Sequence, residues 1–345
     1  MRTMNRKKII KGICFVFLLL LLFLIFQRTF RAKWVNVRAD GSFNTSLWME
    51  YRSMEPNSID VLFLGTSHAY SAIDPMYIYE QSGITSFLLA GPGSRMDLSY
   101  LSLEEALKTQ SPEVVVLDVS GIQFSGPADE ARAHKVIDQL PISKLKLEFA
   151  FDNGNEDLKP LDVLFPFFRY HSRWADLKEK DFKYLTNDLK LINTRGHFVS
   201  YKNVPTGLPY YEDMEWEITD RSLEYLKRIK DLCDEKGTKL LMIKVPAAVW
   251  HKVMSDCAQE IAETFGVPWL DLFFEVDEMG LDVATDYRDK TDHMNQWGAE
   301  KVSAYMIKYL QSHYELGDHR PDKRWEKDLV KYKKLLQERL EAVQT

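Results

Sequence analysis

The pattern of apolar and polar positions divides the chain into an apolar N-terminal segment, an interrupted α/β region and an amphipathic C-terminal segment. After residue 57, short continuous apolar runs alternate with helix-like stretches. The first of these are strands at Asp60–Leu64, Ser86–Leu89 and Glu113–Val119, and helices at Pro75–Gln81 and Asp97–Thr109. Continuous apolar strands separated by helices are typical of a parallel sheet buried on both faces. The pattern therefore predicts an α/β fold.

The alternation stops between about residues 121 and 215, where aromatic clusters, prolines and charged segments show no strand rhythm. It then resumes with helices at Ile218–Asp234, Val249–Phe265 and Asn295–Gln311 and strands at Lys239–Lys244 and Pro268–Phe273. We therefore predict one α/β domain over residues 58–318 that contains a large, mainly helical insertion, in preference to two tandem domains.

The N-terminal segment predicts a membrane anchor. Residues 9–26 are almost wholly apolar, and as a helix this length just crosses a hydrocarbon core of ~30 Å. Four basic residues precede the segment (Arg2, Arg6, Lys7 and Lys8), which favours a cytoplasmic amino terminus. A cleaved signal peptide is the alternative, but no small-x-small cleavage site follows Phe26. We expect residues 1–33 to form an uncleaved, single-pass signal anchor, 34–57 a connector, and the following domain to lie outside the cytoplasm.

The C-terminal segment, residues 319–345, predicts an amphipathic helix over Asp322–Ala342. Its apolar side chains recur at three- and four-residue steps, at Trp325, Leu329, Tyr332, Leu336 and Leu340. We expect this face to dock on the chain's own domain. Contact with a partner or a membrane surface is the alternative, although a polar face of mixed charge argues against a polybasic lipid-binding helix.

Composition narrows the functional classes. With 45% hydrophobic and 28% charged residues the chain is an ordinary globular protein, and its net charge of −6 argues against nucleic-acid binding. The three cysteines show no metal-ligand spacing, and we predict no cofactor and no metal. Cys233 and Cys257 either pair in an oxidising compartment or remain free thiols.

Two distant segments carry the residues for nucleophilic catalysis. Ser67 follows the first predicted strand in a turn of small residues, and ligands of open parallel sheets bind beyond the carboxyl ends of the strands. His293 directly precedes the final core helix, whose predicted cap is Asn295. A serine, a distant histidine and an acid are the minimum set for an activated nucleophile. We expect Ser67 and His293 to meet at one crevice.

The acid that completes this set is open between two residues. Asp289 lies four residues before His293 and Asp292 lies one residue before it. In a turn of helix-like geometry residues four apart share a face, whereas neighbours diverge, so Asp289 is preferred and Asp292 is the alternative. His68 is a poor base for Ser67, because adjacent residues point apart; it remains a candidate substrate contact.

Other candidate substrate contacts lie in the insertion and at the fourth strand. An arginine beside an aromatic side chain can clamp a phosphate or carboxylate and stack on a sugar ring, as His171, Arg173 and Trp174 would allow. In the alternative, Trp174 lies in the core and Arg173 pairs with a nearby acid, such as Asp176 or Asp181.

Lys244 ends the predicted fourth strand, at the same edge of the sheet as Ser67. It is a candidate contact for an anionic substrate, or else a solvated strand end. Trp250, a little further on, is expected in the core rather than as a binding platform.

With Gly-Thr-Ser-His after a strand and an Asp-x-x-His-like segment before the last core helix, the chain resembles the SGNH (GDSL-like) hydrolase and acyltransferase superfamily. The resemblance covers roughly Asp60–Val119 and Lys239–Gln311. It implies a flavodoxin-like three-layer sandwich with a parallel sheet, with Ser67 as the nucleophile and His293 as the base. Four stretches (residues 58–65, 73–75, 170–174 and 293–301) further resemble a membrane-anchored bacterial subgroup. That subgroup is similar to proteins that work beside membrane-bound O-acyltransferases in D-alanylating teichoic acid or acetylating exopolysaccharide.

The chain departs from the superfamily pattern at two places. The usual acid lies three residues before the histidine, and here that position is Lys290. The third block usually offers an asparagine, which is missing from the residues after the third strand, 118–121. The resemblance implies an oxyanion hole built from the amide of Ser67 and that of Gly91 or Gly93. Either this hole has fewer donors, or the insertion supplies one. Loss of one oxyanion donor typically costs ~10²–10³ in rate, which is compatible with a slow or specialised enzyme.

The sequence thus leads to two functional hypotheses. The first is an extracytoplasmic serine esterase or O-acyltransferase that moves an acetyl or D-alanyl group to or from a cell-envelope polysaccharide or teichoic acid through an acyl-Ser67 intermediate. Its partners would be the bilayer, the polymer and a membrane-bound O-acyltransferase. The alternative is a non-catalytic assembly or polymer-binding protein that kept the fold. A simple lipid or peptide hydrolase is a weaker third possibility.

Overall fold

The structure is a computed structural model that describes residues 6–31, 47–124, 126, 129–183, 193–205, 215–247, 250–290 and 293–344. The chain forms two compact units. Met1–Trp34 and Pro141–Lys190 make up what we call the anchor unit, and Val35–Leu140 and Leu191–Thr345 make up the sheet unit.

Five parallel strands form the sheet of the sheet unit. They are β1 (Val61–Gly65), β2 (Ser86–Ala90), β3 (Val114–Asp118), β4 (Lys239–Lys244) and β5 (Trp269–Asp271). Their spatial order is β2-β1-β3-β4-β5, and every neighbouring pair is parallel. This is the flavodoxin-like order, whose strand order reverses beside β1. The predicted α/β fold class with a parallel sheet is confirmed.

Fifteen α-helices occur among the described residues. They are α1 (Arg6–Phe30), α2 (Leu47–Arg52), α3 (Ser67–Ala72), α4 (Pro75–Ser82), α5 (Met96–Ala106), α6 (Glu130–Ile137), α7 (Lys144–Phe151), α8 (Pro160–Leu164), α9 (Pro166–Tyr170), α10 (Glu179–Lys183), α11 (Asp220–Lys236), α12 (Lys252–Phe265), α13 (Val276–Met279), α14 (Gln296–His313) and α15 (Lys323–Gln344). Two 3₁₀ helices cover Val119–Gln123 and His171–Asp176.

The capping residues explain where the helices near the sheet begin and end. Asp74 caps α4, accepting hydrogen bonds from the amides of Met76 and Tyr77 at 3.0 Å each, and Pro75 occupies the first turn, where its missing N–H has no cost. Gly83 ends the helix at φ 77°, a left-handed conformation that glycine adopts readily. Asn295 caps α14 by accepting from the amide of Gly298 at 3.2 Å, as the sequence predicts.

The predicted insertion divides between the two units. Between β3 and β4 the described residues hold helices and turns but no strand. Helix α6 belongs to the sheet unit, whereas α7 to α10 belong to the anchor unit together with α1. Helix α1 is long and apolar enough to cross a membrane, with a mean hydropathy of 3.0 over 18 residues. The insertion therefore supplies the helices that pack on the membrane-spanning candidate.

Both cysteines of the sheet unit are free thiols, which settles the alternative that the sequence left open. Cys233 is buried in α11, and burial raises the pKa of its thiol to about 12. Cys257 is half-buried in α12, and burial raises its pKa as well.

Helix α15 docks on the sheet unit through a buried ion-pair cluster. Trp325 is buried, and the guanidinium of Arg195 lies 4.7 Å from the centre of its ring. Arg195 donates to Glu50 at 2.7 Å and to Asp328 of α15 at 2.7 Å, and its side chain is 1% exposed. The guanidinium thus joins α2 and α15 to the described segment at residues 193–205, which precedes α11.

Replacing Arg195 with methionine should destabilise the sheet unit by ~3–5 kcal/mol, since removing one partner of a buried ion pair leaves the other charge uncompensated. The midpoint of urea unfolding, followed by tryptophan fluorescence, measures this loss. Arg324→Met is the matched control, because Arg324 pairs with Glu55 at the surface at 3.5 Å and such pairs contribute ~0–1 kcal/mol. Equal effects of the two substitutions would contradict the prediction.

Candidate active site

Ser67 lies at the carboxyl edge of the sheet, as the first residue of α3. The strand β1 ends at Gly65, and the side chain of Thr66 caps the helix by accepting from the amide of His68 at 3.3 Å. Because the first amides of a helix have no intrahelical acceptor, the N–H of Ser67 is not used within α3. The sequence predicts only a turn of small residues here, whereas in the structure a short helix, α3, begins at Ser67.

Ser67 and His293 meet, as the sequence predicts. The hydroxyl oxygen of Ser67 lies 2.8 Å from Nε2 of His293. The other ring nitrogen, Nδ1, lies 3.1 Å from Oδ2 and 3.3 Å from Oδ1 of Asp289. With Nδ1 protonated and donating to Asp289, Nε2 is free to accept the Ser67 proton. The three side chains therefore have the arrangement of a Ser–His–Asp triad.

Paired backbone segments flank Asp289 and His293. Tyr287 and Met294 form an isolated antiparallel bridge, and the amide of Arg288 donates to the carbonyl of His293 at 2.9 Å. The backbone amide of His293 also donates to Oδ1 of Asp289 at 3.2 Å. The pairing of residues 287–288 with 293–294 holds residues 289 and 293 close together. The preferred acid thus makes the expected contact, and the alternative, Asp292, lies outside the described residues.

Arg288 contacts both Asp289 and helix α3. Its Nε lies 3.9 Å from Oδ2 of Asp289. Its guanidinium donates to the hydroxyl of Ser71 at 3.1 Å and lies 4.2 Å from the centre of the Phe198 ring. Ser71 in turn donates to the carbonyl of Ser67 at 2.7 Å. Asp289 and helix α3 are therefore connected through Arg288 as well as through His293.

A second polar chain lies beside the triad and was not predicted. The ring of His68 is centred 5.1 Å from that of His293, and its Nδ1 is 3.4 Å from the hydroxyl oxygen of Ser120. Ser120 donates to Oδ1 of Asp118 at 2.8 Å. Asp118 ends β3 and is fully buried, and its Oδ1 also accepts from the amide of Val245 at 3.3 Å. This chain begins at residues 118–120, at the carboxyl end of β3.

The two glycines of the predicted oxyanion hole, Gly91 and Gly93, differ in backbone hydrogen bonding and conformation. The amide of Gly91 donates to the carbonyl of Gly65 at 3.2 Å, so it supports the turn and does not face a substrate. A Cβ at Gly91 would also lie 2.4 Å from the hydroxyl of Ser94. Gly93 has φ +60°, which a glycine adopts without strain. The hydrogen bond to Gly65 argues against the Gly91 amide as an oxyanion donor, and the Ser67 and Gly93 amides stay predictions.

Lys244 does not present its charge to solvent. It is fully buried, and its ammonium donates to the carbonyl of Val245 and lies 5.1 Å from the centre of the Trp250 ring. The prediction that Lys244 contacts a substrate is therefore not supported, because the side chain turns into the interior instead of continuing past the strand end. Trp250 is fully buried, as expected.

His171 and Arg173 belong to the anchor unit. Arg173 donates to the carbonyls of Phe30 and Arg31 at 2.6 and 3.1 Å and pairs with Asp181 at 3.1 Å. The pair with Asp181 fits the structural alternative, and the bonds to Phe30 and Arg31 additionally cap the end of α1. Trp174 is 72% exposed, so the expectation that it lies in the core is wrong.

His171 is exposed, with Nδ1 2.6 Å from the carbonyl oxygen of Phe168. A contact of His171 with a substrate stays a prediction. Within the part of the chain that the structure describes, no group of three or more His, Cys, Asp or Glu side chains could hold a metal ion.

A parallel sheet in the flavodoxin-like order, with a hydrogen-bonded Ser–His–Asp arrangement beyond its carboxyl edge, defines a class: α/β proteins with serine-hydrolase geometry. No model of a known family matches the sequence, and a search of curated proteins found no match.

Among solved structures, the chain is similar to a GDSL-like lipase from Bacteroides thetaiotaomicron VPI-5482, with 10% identity, a TM-score of 0.35, and coverage of 76% of this chain and 95% of the lipase. It is also similar to the acetyl xylan esterase AlAXEase, with 11% identity, a TM-score of 0.36, and coverage of 73% of this chain and 100% of the esterase. At these values the likeness is distant and establishes neither a substrate nor a reaction for this chain.

Replacing Asp289 with asparagine should lower kcat/KM for an activated ester such as p-nitrophenyl acetate by ~10²–10⁴, because an amide holds the histidine in the wrong tautomer and does not stabilise the imidazolium. Asp292→Asn is the matched control and should change kcat/KM less than threefold. A larger loss for Asp292→Asn than for Asp289→Asn would transfer the role of the acid to Asp292.

Proposed function

We propose that this protein is a membrane-anchored serine esterase or O-acyltransferase that moves an acyl group to or from a cell-envelope glycopolymer. The observation that carries the proposal is the 2.8 Å contact between the Ser67 hydroxyl and Nε2 of His293, with Asp289 on the opposite ring nitrogen. A hydroxyl held on an oriented imidazole is the arrangement that converts a serine into a nucleophile.

The first half-reaction transfers the acyl group to the protein. As the Ser67 oxygen attacks the ester carbonyl, His293 takes the hydroxyl proton, and Asp289 stabilises the imidazolium that forms. The tetrahedral intermediate collapses by breaking the bond to the leaving alcohol, which receives the proton from His293. The products are the free alcohol and acyl-Ser67.

The second half-reaction follows the same path in reverse. An acceptor hydroxyl, from water or from a sugar, gives its proton to His293 and attacks the acyl-Ser67 carbonyl. The bond to Ser67 breaks, and the proton returns to the serine oxygen. Water as the acceptor gives hydrolysis and a polymer hydroxyl gives transfer, so the two activities share all three catalytic residues.

The amides of Ser67 and Gly93 are the proposed donors to the oxyanion. With the asparagine missing and the Gly91 amide engaged by Gly65, the hole has fewer donors than the superfamily pattern offers. Since one donor is typically worth ~10²–10³ in rate, we expect slow turnover of simple esters.

The choice of a glycopolymer as substrate, and of acetyl or D-alanyl as the acyl group, is supported by the resemblance of residues 58–65 and 293–301 to the membrane-anchored subgroup. The apolar helix α1 supports attachment to a membrane, and the basic residues before it support a domain outside the cytoplasm. A membrane-bound O-acyltransferase that delivers the acyl group remains the proposed partner.

A second candidate function is a non-catalytic, polymer-binding assembly protein. Its specific support is the reduced oxyanion hole, because a protein that no longer stabilises a tetrahedral intermediate has no need of the donors. This candidate and the enzyme differ in whether Ser67 is reactive.

A fluorophosphonate probe should label the wild-type protein covalently at Ser67, because phosphonylation uses the same activated oxygen and base as acylation. Ser67→Ala should abolish the labelling without lowering the unfolding midpoint by more than a few degrees. Ser312→Ala, at an exposed serine on α14, is the matched control and should label as the wild type does. Absence of labelling in the folded wild-type protein would exclude the enzyme and favour the assembly function.

A further inference from the structure

Exposed apolar side chains are concentrated in the insertion that belongs to the anchor unit. Within residues 141–183, seven large apolar residues are exposed: Ile142, Leu147, Phe151, Leu161, Phe168, Trp174 and Phe182. The described part of the much larger sheet unit exposes only five: Leu223, Phe274, Trp297, Val330 and Val343. Single exposed apolar residues are ordinary on a protein surface, whereas a concentration of them marks an interaction surface.

Every helical segment of this insertion carries at least one of these residues. Helix α7 shows the pattern most clearly, since it is apolar on two faces. Leu145 and Phe149 are four residues apart and buried, whereas Leu147 and Phe151, also four apart, are exposed, Phe151 to 74%. A helix of a water-soluble domain buries one apolar stripe and presents a polar one. The outward stripe of α7 therefore requires a second apolar environment.

The contacts with α1 indicate what this environment is. Phe23 packs against the rings of Phe165, Phe167 and Phe168 at centroid distances of 5.6, 6.2 and 6.2 Å. Phe30, at the end of the same helix, packs against Phe167 at 5.4 Å.

Seven residues separate Phe23 from Phe30, which is ~10 Å along a helix axis. The apolar stretch of α1 ends at Phe26, so Phe23 lies about one turn inside it. If α1 crosses a bilayer, side chains that contact Phe23 lie at the depth of the acyl chains or the interface. Helix α9 and its neighbours then cannot be surrounded by water alone.

Polar contacts fix this arrangement at the end of α1. The amide of Phe167 donates to the side chain of Gln27 at 2.8 Å, and Arg173 donates to the carbonyls of Phe30 and Arg31. These bonds satisfy backbone groups that an apolar environment would leave unpaired. Trp174 and Arg173 have the composition of an interfacial belt, where amphipathic rings and long basic side chains lie at headgroup level.

We infer that residues 141–183 form a collar around the end of α1 that inserts its exposed apolar side chains into the outer part of a lipid bilayer. The inference rests on α1 being a membrane span and is independent of the proposed chemistry. Interfacial helices typically bury their apolar faces ~5–10 Å into the headgroup and acyl boundary, which agrees with the depth given by Phe23. The eight basic and eight acidic residues of this segment give it no net charge, so insertion is driven by apolar burial and needs no anionic lipid.

Photo-crosslinking of the unmodified full chain tests this inference. The protein is reconstituted into nanodiscs of zwitterionic phosphatidylcholine that contains a fraction of lipid with a diazirine near the carbonyl end of an acyl chain. After irradiation, labelled peptides are mapped by mass spectrometry. We expect labels on α1 and on peptides from 141–183, and at least tenfold fewer on peptides of the sheet unit. Labels on α1 but not on 141–183 would show that the exposed surface does not contact the acyl chains and would overturn the inference, as would the absence of labels on α1.

Tryptophan quenching by brominated phosphatidylcholine gives an independent measurement. Trp174→Leu should remove part of the quenchable emission, because Trp174 is inserted at the interface. Trp297→Leu is the matched control, since Trp297 is also exposed, to 39%, but lies in the sheet unit, and it should leave the quenchable emission unchanged. If Trp174→Leu changes the quenchable emission no more than Trp297→Leu does, the collar is not in the bilayer. Neither measurement depends on esterase activity, so a failed collar is distinguishable from a failed catalytic proposal.

Discussion

The buried carboxylate of Asp74 is the contact on which the geometry of the candidate active site depends. It is fully buried, and its Oδ1 accepts the two amides that begin α4. Its Oδ2 accepts from the side-chain amide of Gln296 at 2.8 Å and from the hydroxyl of Tyr332 at 2.5 Å. The backbone amide of Asp74 donates to Ser303 at 2.8 Å. A buried charge is stable only when its hydrogen-bonding capacity is satisfied in this way.

This one carboxylate joins three helices that the chain order keeps far apart. Asp74 follows the proposed nucleophile Ser67 by seven residues, and Gln296 follows the proposed base His293 by three. When Asp74 holds the first turn of α14 against that of α4, the residues just before each helix are brought to the same edge of the sheet. Tyr332 extends the arrangement to α15, so the C-terminal helix takes part in positioning the site even though it supplies none of its reactive groups.

Much of this could be predicted from the sequence, because it depends on local rules. The strands are continuous apolar runs, Gly83 and Asn295 are strong capping signals, and a serine past the first strand of a parallel sheet lies at the ligand-binding edge whatever the rest of the chain does. The pairing of Ser67 with His293 follows from the same rule. Asp289 makes the contact with His293 that the sequence predicts, but the antiparallel pairing of Tyr287 with Met294 that accompanies this contact depends on tertiary packing.

What could not be predicted is where long polar side chains turn once the chain has folded. Lys244 ends a strand at the predicted edge, yet the carbonyl of Val245 and the ring of Trp250 provide a better-satisfied position inside. Arg173 has the composition of a substrate clamp, and its donors are instead used by the backbone at the end of α1. In both cases composition identifies the possible chemistry, and only the positions of distant acceptors determine which contact is made.

The two histidines of the site show how a small difference in contacts separates two roles. Each is tied to a carboxylate, but His293 contacts Asp289 directly, whereas the hydroxyl of Ser120 stands between His68 and Asp118. Their rings are centred 5.1 Å apart, but of the two it is His293 whose Nε2 lies 2.8 Å from the Ser67 hydroxyl. A carboxylate in direct contact with the other ring nitrogen orients an imidazole and stabilises the imidazolium that forms when it takes a serine proton. The contact of His68 with the Ser120 hydroxyl offers no such charge, since Ser120 itself donates to Asp118. The positions of the carboxylates, and not the residue type, therefore favour His293 over its neighbour as the proposed base.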